Sequence, residues 1–240
     1  VGELFIPIKR VGCYIPGGAA PLVSTSLMTV ILAKIAGVEE IVACSPPSAD
    51  GSLNPNIIYA LHNSGATEIY KMGGAHAIAS MAYGTKTIKK VNKIVGPGGP
   101  YVTAAKKIVY GDVAIDMVAG PSEIGILTDS TANPKFVAAD LLSQAEHGTS
   151  LEKALLITTS MKQAQLVKEQ VLKQSIQLKR RKIITDVINN GMMIVVVKNL
   201  NDGVDLINDF APEHMELIVK NPKKIIPRIK TAGALFIASW

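Results

Sequence analysis

Four histidines, at positions 62, 76, 147 and 214, carry most of the chemistry open to this 240-residue chain. His147 follows Gln144 by three positions, so on a helix the two project from one face. An imidazole nitrogen and an amide oxygen placed together can hold a divalent metal, although glutamine is an unusual zinc ligand. A histidine closing a helix also has a plain role, because it interacts with the negative end of the helix dipole. His214 adjoins Glu213, directly after Pro212. Proline holds the residue before it extended, and a neighbouring carboxyl and imidazole, stiffly entered, suit proton transfer near neutral pH. Gly120-Pro121-Ser122-Glu123 is a second stiff turn that can present a hydroxyl. His62 follows the apolar residues Ile57, Ile58 and Leu61 and reads as a helix-end residue without chemistry. Taken singly, each of these signals is matched by a bland alternative.

The elements that position them alternate. Short β-branched runs (residues 11–15, 40–44, 68–70 and 93–95) are each followed by a helical run (22–36, 56–64, 73–83 and 101–110). Gly37 and Gly65 stop the first two helices. A second cycle starts near Val113: strand 124–128, then a helix capped by Asn133 with Pro134 in its first turn, running to Glu146 or His147 and stopped by Gly148. Strand 154–158, helices 161–172 and 175–189, strand 192–197 and helix 201–210 follow. Strands 215–219 and 234–238 flank a helix over 222–230. This order predicts an α/β protein of two Rossmann-like parallel-sheet units, residues 1–112 and an incomplete 113–240. The glycine-rich turns Pro16-Gly17-Gly18, Gly73-Gly74 and Gly96-Pro97-Gly98-Gly99 stand where phosphate loops stand, but none matches a dinucleotide or P-loop fingerprint.

Composition narrows the class. Hydrophobic residues make up 48% and charged residues 18%, enough apolar material for a large core. No apolar run approaches the ~20 residues of a membrane span, and no signal peptide is visible, so a cytoplasmic protein without membrane partners is expected. Cys13 and Cys44 fall in strand-like runs and read as two buried free thiols. The net charge of +6 is partly concentrated in Lys179-Arg180-Arg181-Lys182. Apolar neighbours make this run a solvated helix face, and without interleaved aromatics no nucleic-acid partner is expected.

The segments Gly12-Cys13-Tyr14-Ile15-Pro16-Gly17-Gly18, Gly73-Gly74-Ala75, Met81-Ala82-Tyr83-Gly84-Thr85 and Gly120-Pro121-Ser122-Glu123 occur in one order with Ser143-Gln144-Ala145-Glu146-His147-Gly148, Ala211-Pro212-Glu213-His214 and Ala232-Gly233-Ala234-Leu235-Phe236. This series resembles the histidinol dehydrogenase family from end to end. The resemblance implies a zinc-dependent homodimer that oxidises L-histidinol to L-histidine through an aldehyde, using two NAD. It implies Gln144 and His147 as zinc ligands that also meet substrate, His214 as the base for the alcohol and a substrate contact, Glu213 as activator of water, Ser122 as a substrate contact and Tyr14 as an NAD contact.

Two positions depart from the family pattern: His76 stands where glutamine is usual and Gly99 where asparagine is usual, both at NAD contacts. The resemblance also implies a longer protein, with two further zinc ligands beyond Trp240 and a helical segment before Val1. No turnover is then expected from this chain alone, and apolar surface is expected to be exposed. Two alternatives stand beside this reading: a non-catalytic binding or assembly protein that keeps the fold, and a related zinc-dependent dehydrogenase for another small alcohol.

Overall fold

A parallel strand covered by helices on both faces must be apolar throughout, and β1 (Arg10–Tyr14) is buried at every position. The computed structural model describes residues 2–17, 21–147 and 150–237. Gly18 of the first turn, the helix-stopping Gly148 and Ala238 at the last strand end lie outside the described residues. The chain divides into two compact units, Val1–Ala119 and Gly120–Trp240.

In the first unit β1 leads to α1 (Val23–Ser26) and α2 (Leu32–Ile35), joined through a π turn over Leu27–Ile31. Then come β2 (Glu40–Ser45), α3 (Pro55–Ser64), β3 (Glu68–Lys71), α4 (Gly74–Tyr83), β4 (Lys93–Val95), α5 (Pro100–Val109) and β5 (Ala114–Ile115). All pairings are parallel, in the order β3-β2-β1-β4-β5. Alternation along β1 sends Val11, Cys13 and Ile15 to a core beneath α3, and Tyr14 to the opposite core under α4 and α5. Asn54 caps α3 by accepting from Asn56 N–H, and Gly65 closes it in the left-handed region. At the amino edge of the sheet the buried Arg10 guanidinium binds Glu40 and, at 2.7 and 2.8 Å, both oxygens of Glu68. The Arg10 bonds hold the Glu68 carboxyl down at about 2. Both cysteines are free and buried, and burial pushes their thiols up, to about 11 for Cys13 and about 12 for Cys44. Met28, Leu32 and Ile35 remain exposed along one helix.

The second unit runs β6 (Glu123–Thr128), α6 (Pro134–Ala145), β7 (Lys153–Thr158), α7 (Met161–Ser175), α8 (Arg181–Asn190), β8 (Met192–Val196), α9 (Leu200–Phe210), β9 (His214–Ile218) and β10 (Ala234–Ile237). Its parallel sheet has the order β10-β9-β6-β7-β8. Counted from its own first strand, this is 3-2-1-4-5, the order of the first unit. Helices α6, α7 and α8 cover one face and α9 the other.

Four local expectations are corrected. Residues 222–230 form two 3-10 turns, Pro222–Lys224 and Ile226–Arg228, because Pro227 has no N–H to continue a helix. The basic helix begins at Arg181, not Ser175, so Lys179 and Arg180 lie in the connection before it. Residues 114–115, too short to read as a strand, pair with β4 and stay with the first unit. α6 ends at Ala145, which leaves His147 just past the helix. Among the described residues no helix is long and apolar enough to cross a membrane.

Candidate active site

Topology brings the sequence-predicted residues of the second unit together. In a parallel α/β sheet each crossover helix runs opposite to the strands, so helix C-termini arrive at the amino edge. Gln144 and His147 stand at the end of α6, Ser122 precedes β6, and Glu213-His214 opens β9. All five therefore map to one edge. The Ser122 carbonyl accepts from Lys153 N–H at 3.3 Å, which ties the serine turn to the start of β7. His214 lies in register with Ile124 and Ala234 on the flanking strands. Tyr14 belongs to the first unit and is described with it below.

The approach to Glu213 is built from backbone constraint. Ala211 adopts φ 51° at the end of α9, a conformation that disfavours any Cβ and concentrates at functional positions. Pro212 follows, and its carbonyl accepts from Gly233 N–H at 3.1 Å, while the Glu213 carbonyl accepts from Ala234 N–H at 2.8 Å. The His214 ring stacks on Phe236 with centroids 6.2 Å apart. Its Nδ1 lies 4.0 Å from a Glu213 carboxylate oxygen.

The Gln144 side chain is 3% exposed, and its buried Nε2 has no hydrogen-bond partner. His147 is exposed, with Nδ1 3.2 Å from the Ser143 carbonyl. A carbonyl only accepts, so a hydrogen bond here has Nδ1 as donor, and in the neutral ring that tautomer leaves the lone pair on Nε2. An amide oxygen and an imidazole nitrogen at a helix C-terminus suit a cation electrostatically, because the negative ends of α6 and α9 point at this edge. These residues fit a zinc site in donor type and supply two donors. Among the described residues no cluster of three or more His, Cys, Asp or Glu forms a complete site.

Two further features were not legible from motifs. Asp140 lies one turn before Gln144 on α6, and Glu216 two residues after His214 on the same face of β9. Their carboxyls lie close enough to act on each other. Burial, then the Asp140 charge, pushes Glu216 up to about 7, and burial raises Asp140 as well. Helical and strand periodicity applied outward from Gln144 and His214 would have marked both positions. Because the folded Glu216 holds its proton more tightly than the unfolded chain, its stabilising contribution is full below about pH 4.5 and fades as pH rises to about 7. The melting temperature should therefore fall by roughly 5 °C between pH 5 and pH 8, and Glu216→Gln should flatten that slope. An equal slope in the variant, measured by calorimetry, would remove Glu216 as its source. The second feature is Arg180, whose Nη1 donates to the Glu146 carbonyl at 2.8 Å.

In the first unit, helix N-termini, the positive ends, face the carboxyl edge. Gly73 and Gly99 precede α4 and α5 there. The crevice between the carboxyl ends of β1 and β4, where strand order reverses, is the usual dinucleotide position in such sheets. Tyr14 ends β1 with its ring 5% exposed, and its hydroxyl accepts from Gly74 N–H at 3.0 Å, leaving its own O–H to donate. His76 and Gly99 are exposed at the N-termini of α4 and α5. These residues fit an anionic dinucleotide in electrostatics and in fold position.

Two Rossmann-like units, one bearing an imidazole–carboxylate–amide edge, define a chain of the parallel α/β class. The histidinol dehydrogenase family model matches residues 1–240, and the chain belongs to that family. It is 48% identical to the histidinol dehydrogenase of Lactococcus lactis over all of this chain and 56% of the relative. It is 50% identical to that of Bacteroides thetaiotaomicron over 98% of this chain and 54% of the relative. The crystal structure of histidinol dehydrogenase from Elizabethkingia anophelis superposes with a TM-score of 0.92 at 45% identity, covering 98% of this chain and 54% of the other. The chain thus spans about half the length of the relatives it matches. Gamma-glutamyl phosphate reductase from Thermotoga maritima, 14% identical with a TM-score of 0.53 over 96% of this chain and 61% of that one, shares the fold.

Proposed function

We propose that this chain carries the acid/base and part of the zinc-binding machinery of an enzyme that oxidises L-histidinol to L-histidine with NAD, through an aldehyde. The observation that carries the reading is the convergence of Ser122, Gln144, His147, Glu213 and His214 on one sheet edge in a chain of this family. Gln144, through its amide oxygen, and His147, through its imidazole, would hold the zinc, with further donors from outside the described residues. Zinc bound there supplies Lewis-acid polarisation of the reacting oxygen. His214 takes the proton of the substrate alcohol as the hydride departs. Glu213 takes a proton from the water that adds to the aldehyde. Ser122 hydrogen-bonds the substrate. NAD is the hydride acceptor, and Tyr14 meets it at the crevice of the first unit.

Full-length protein loaded with zinc is expected to form NADH and histidine when L-histidinol is added. Turnover with other small alcohols and no preference for histidinol would sink the substrate assignment. The chain itself is expected to be inactive, and histidinol-dependent NADH formation by residues 1–240 alone would contradict that. Exposed Met28, Leu32 and Ile35 favour association, and a homodimer in the cytoplasm is the assembly proposed. Light scattering at monomer mass would argue against it. A second reading, a non-catalytic protein that keeps the fold, is favoured by His76 and Gly99 on the helix ends of the crevice. It predicts no NAD binding by calorimetry, and saturable binding weakened by Tyr14→Ala would count against it.

A further inference from the structure

We propose that Arg180 is a positioning residue for His147. The inference rests on the reading of His147 as a metal ligand and adds what holds it in place. α6 ends at Ala145, so the carbonyls of Glu146 and His147 lie beyond the last helical N–H that can reach them. Arg180 supplies the donors: its Nη1 is 2.8 Å from the Glu146 oxygen and 3.4 Å from the His147 oxygen. Arg180 is itself fixed at the start of α8, where its carbonyl accepts from Ile184 N–H at 3.1 Å. A few residues on, Ser150 Oγ lies 3.4 Å from an Asp186 carboxylate oxygen in the same α8. Residues 146–147 are thus tied to the residue that leads into α8, and Ser150 to α8 itself.

Of the four consecutive basic residues, Lys179, Arg181 and Lys182 are exposed and Arg180 is half-buried. The inward one is an arginine, and its planar guanidinium aims the single Nη1 that meets both carbonyls in a more fixed direction than a flexible ammonium would. With the backbone held, the imidazole can keep Nδ1 on the Ser143 carbonyl at 3.2 Å and present Nε2. Partners that hold a metal-binding side chain in place typically change metal affinity about 10- to 100-fold.

A purely electrostatic role makes the opposite prediction. Removing a cation near a metal site tightens metal binding, whereas removing a positioning residue loosens it. The test compares wild type, Arg180→Ala, Arg180→Lys and His147→Ala in the full-length protein by chelator competition for zinc. We expect zinc to bind roughly 10- to 100-fold more weakly in both Arg180 variants, with Lys no better than partial rescue and unfolding midpoints little changed. Unchanged or tighter zinc in Arg180→Ala overturns the proposal. If His147→Ala binds zinc as wild type does, the metal reading falls instead. The proposal then stands or falls on imidazole-nitrogen NMR of the zinc-free protein. A single Nδ1-protonated tautomer that becomes mixed in Arg180→Lys supports it, and an identical spectrum overturns it.

Discussion

Replacing His214 by asparagine should lower histidinol turnover by the full-length enzyme about 10²–10⁴-fold, the usual contribution of a positioned general base. Asparagine preserves much of the volume on Phe236 and cannot accept the alcohol proton. Because His214 is not proposed as a zinc ligand, the loss should appear in kcat with zinc content intact. Glu213→Gln should behave differently. The first oxidation proceeds and the second stalls, because the amide cannot take a proton from water. Single-turnover measurements that separate the two NADH-forming steps distinguish the variants. If Glu213→Gln slows both steps equally, the division of labour between neighbours 4.0 Å apart is wrong. If His214→Asn retains wild-type kcat, the base lies elsewhere.

Gly96→Ala should cost the first unit more than about 3 kcal/mol, at the severe end of single substitutions. The position has φ 113°, in the region that favours glycine. A Cβ there would lie 2.2 Å from the Tyr14 carbonyl oxygen. Neither partner can yield easily: the Gly96 N–H donates to Asp116 at 2.8 Å and its carbonyl accepts from Lys106 Nζ at 3.0 Å, and Tyr14 is held in register with Cys44 of β2. Lys106 is buried and ion-paired with Asp116. For a unit of this size the melting temperature should drop by more than roughly 10 °C. Hydrogen exchange should localise the loss to residues before Ala119, with zinc binding at α6 retained and NAD binding lost first. A variant with an unchanged midpoint would mean that β1 and β4 can separate at no cost, contrary to their packing.

Much of the fold was legible because the residues that make each element sit next to one another. Asn133 announces a helix start, Gly65 a helix end, and the apolar runs of β2 and β7 a covered parallel strand. What escaped depends on partners far along the chain. Ala114–Ile115 is a strand only because β4 offers an edge. Arg180 looked like one of four solvated cations, and its inward turn follows from two carbonyls that α6 leaves open 34 residues earlier. The candidate site was legible as residue types and in family order, through Gln144-x-x-His147 and Pro212-Glu213-His214. Its assembly was not, because it depends on a strand order that places β9 beside β6. The Asp140–Glu216 pair needs that same contact.

The shared strand order has a consequence for how the chain is made. β1 and β6 are the central strands of their sheets and, among the described strands, the earliest of each unit in chain order. One edge of each central strand is filled only by a strand that comes some 80–90 residues later (~80–90). At roughly 5–20 residues per second, that edge waits about 4–18 s on the ribosome with its amides and carbonyls unpaired. Twice during one synthesis, then, the nascent chain exposes a sticky apolar strand for seconds. Pausing between β4 and β5, or between β9 and β10, would find the central strand already sheltered, whereas a stall before Lys93 or His214 would leave it open to chaperones and to neighbouring chains.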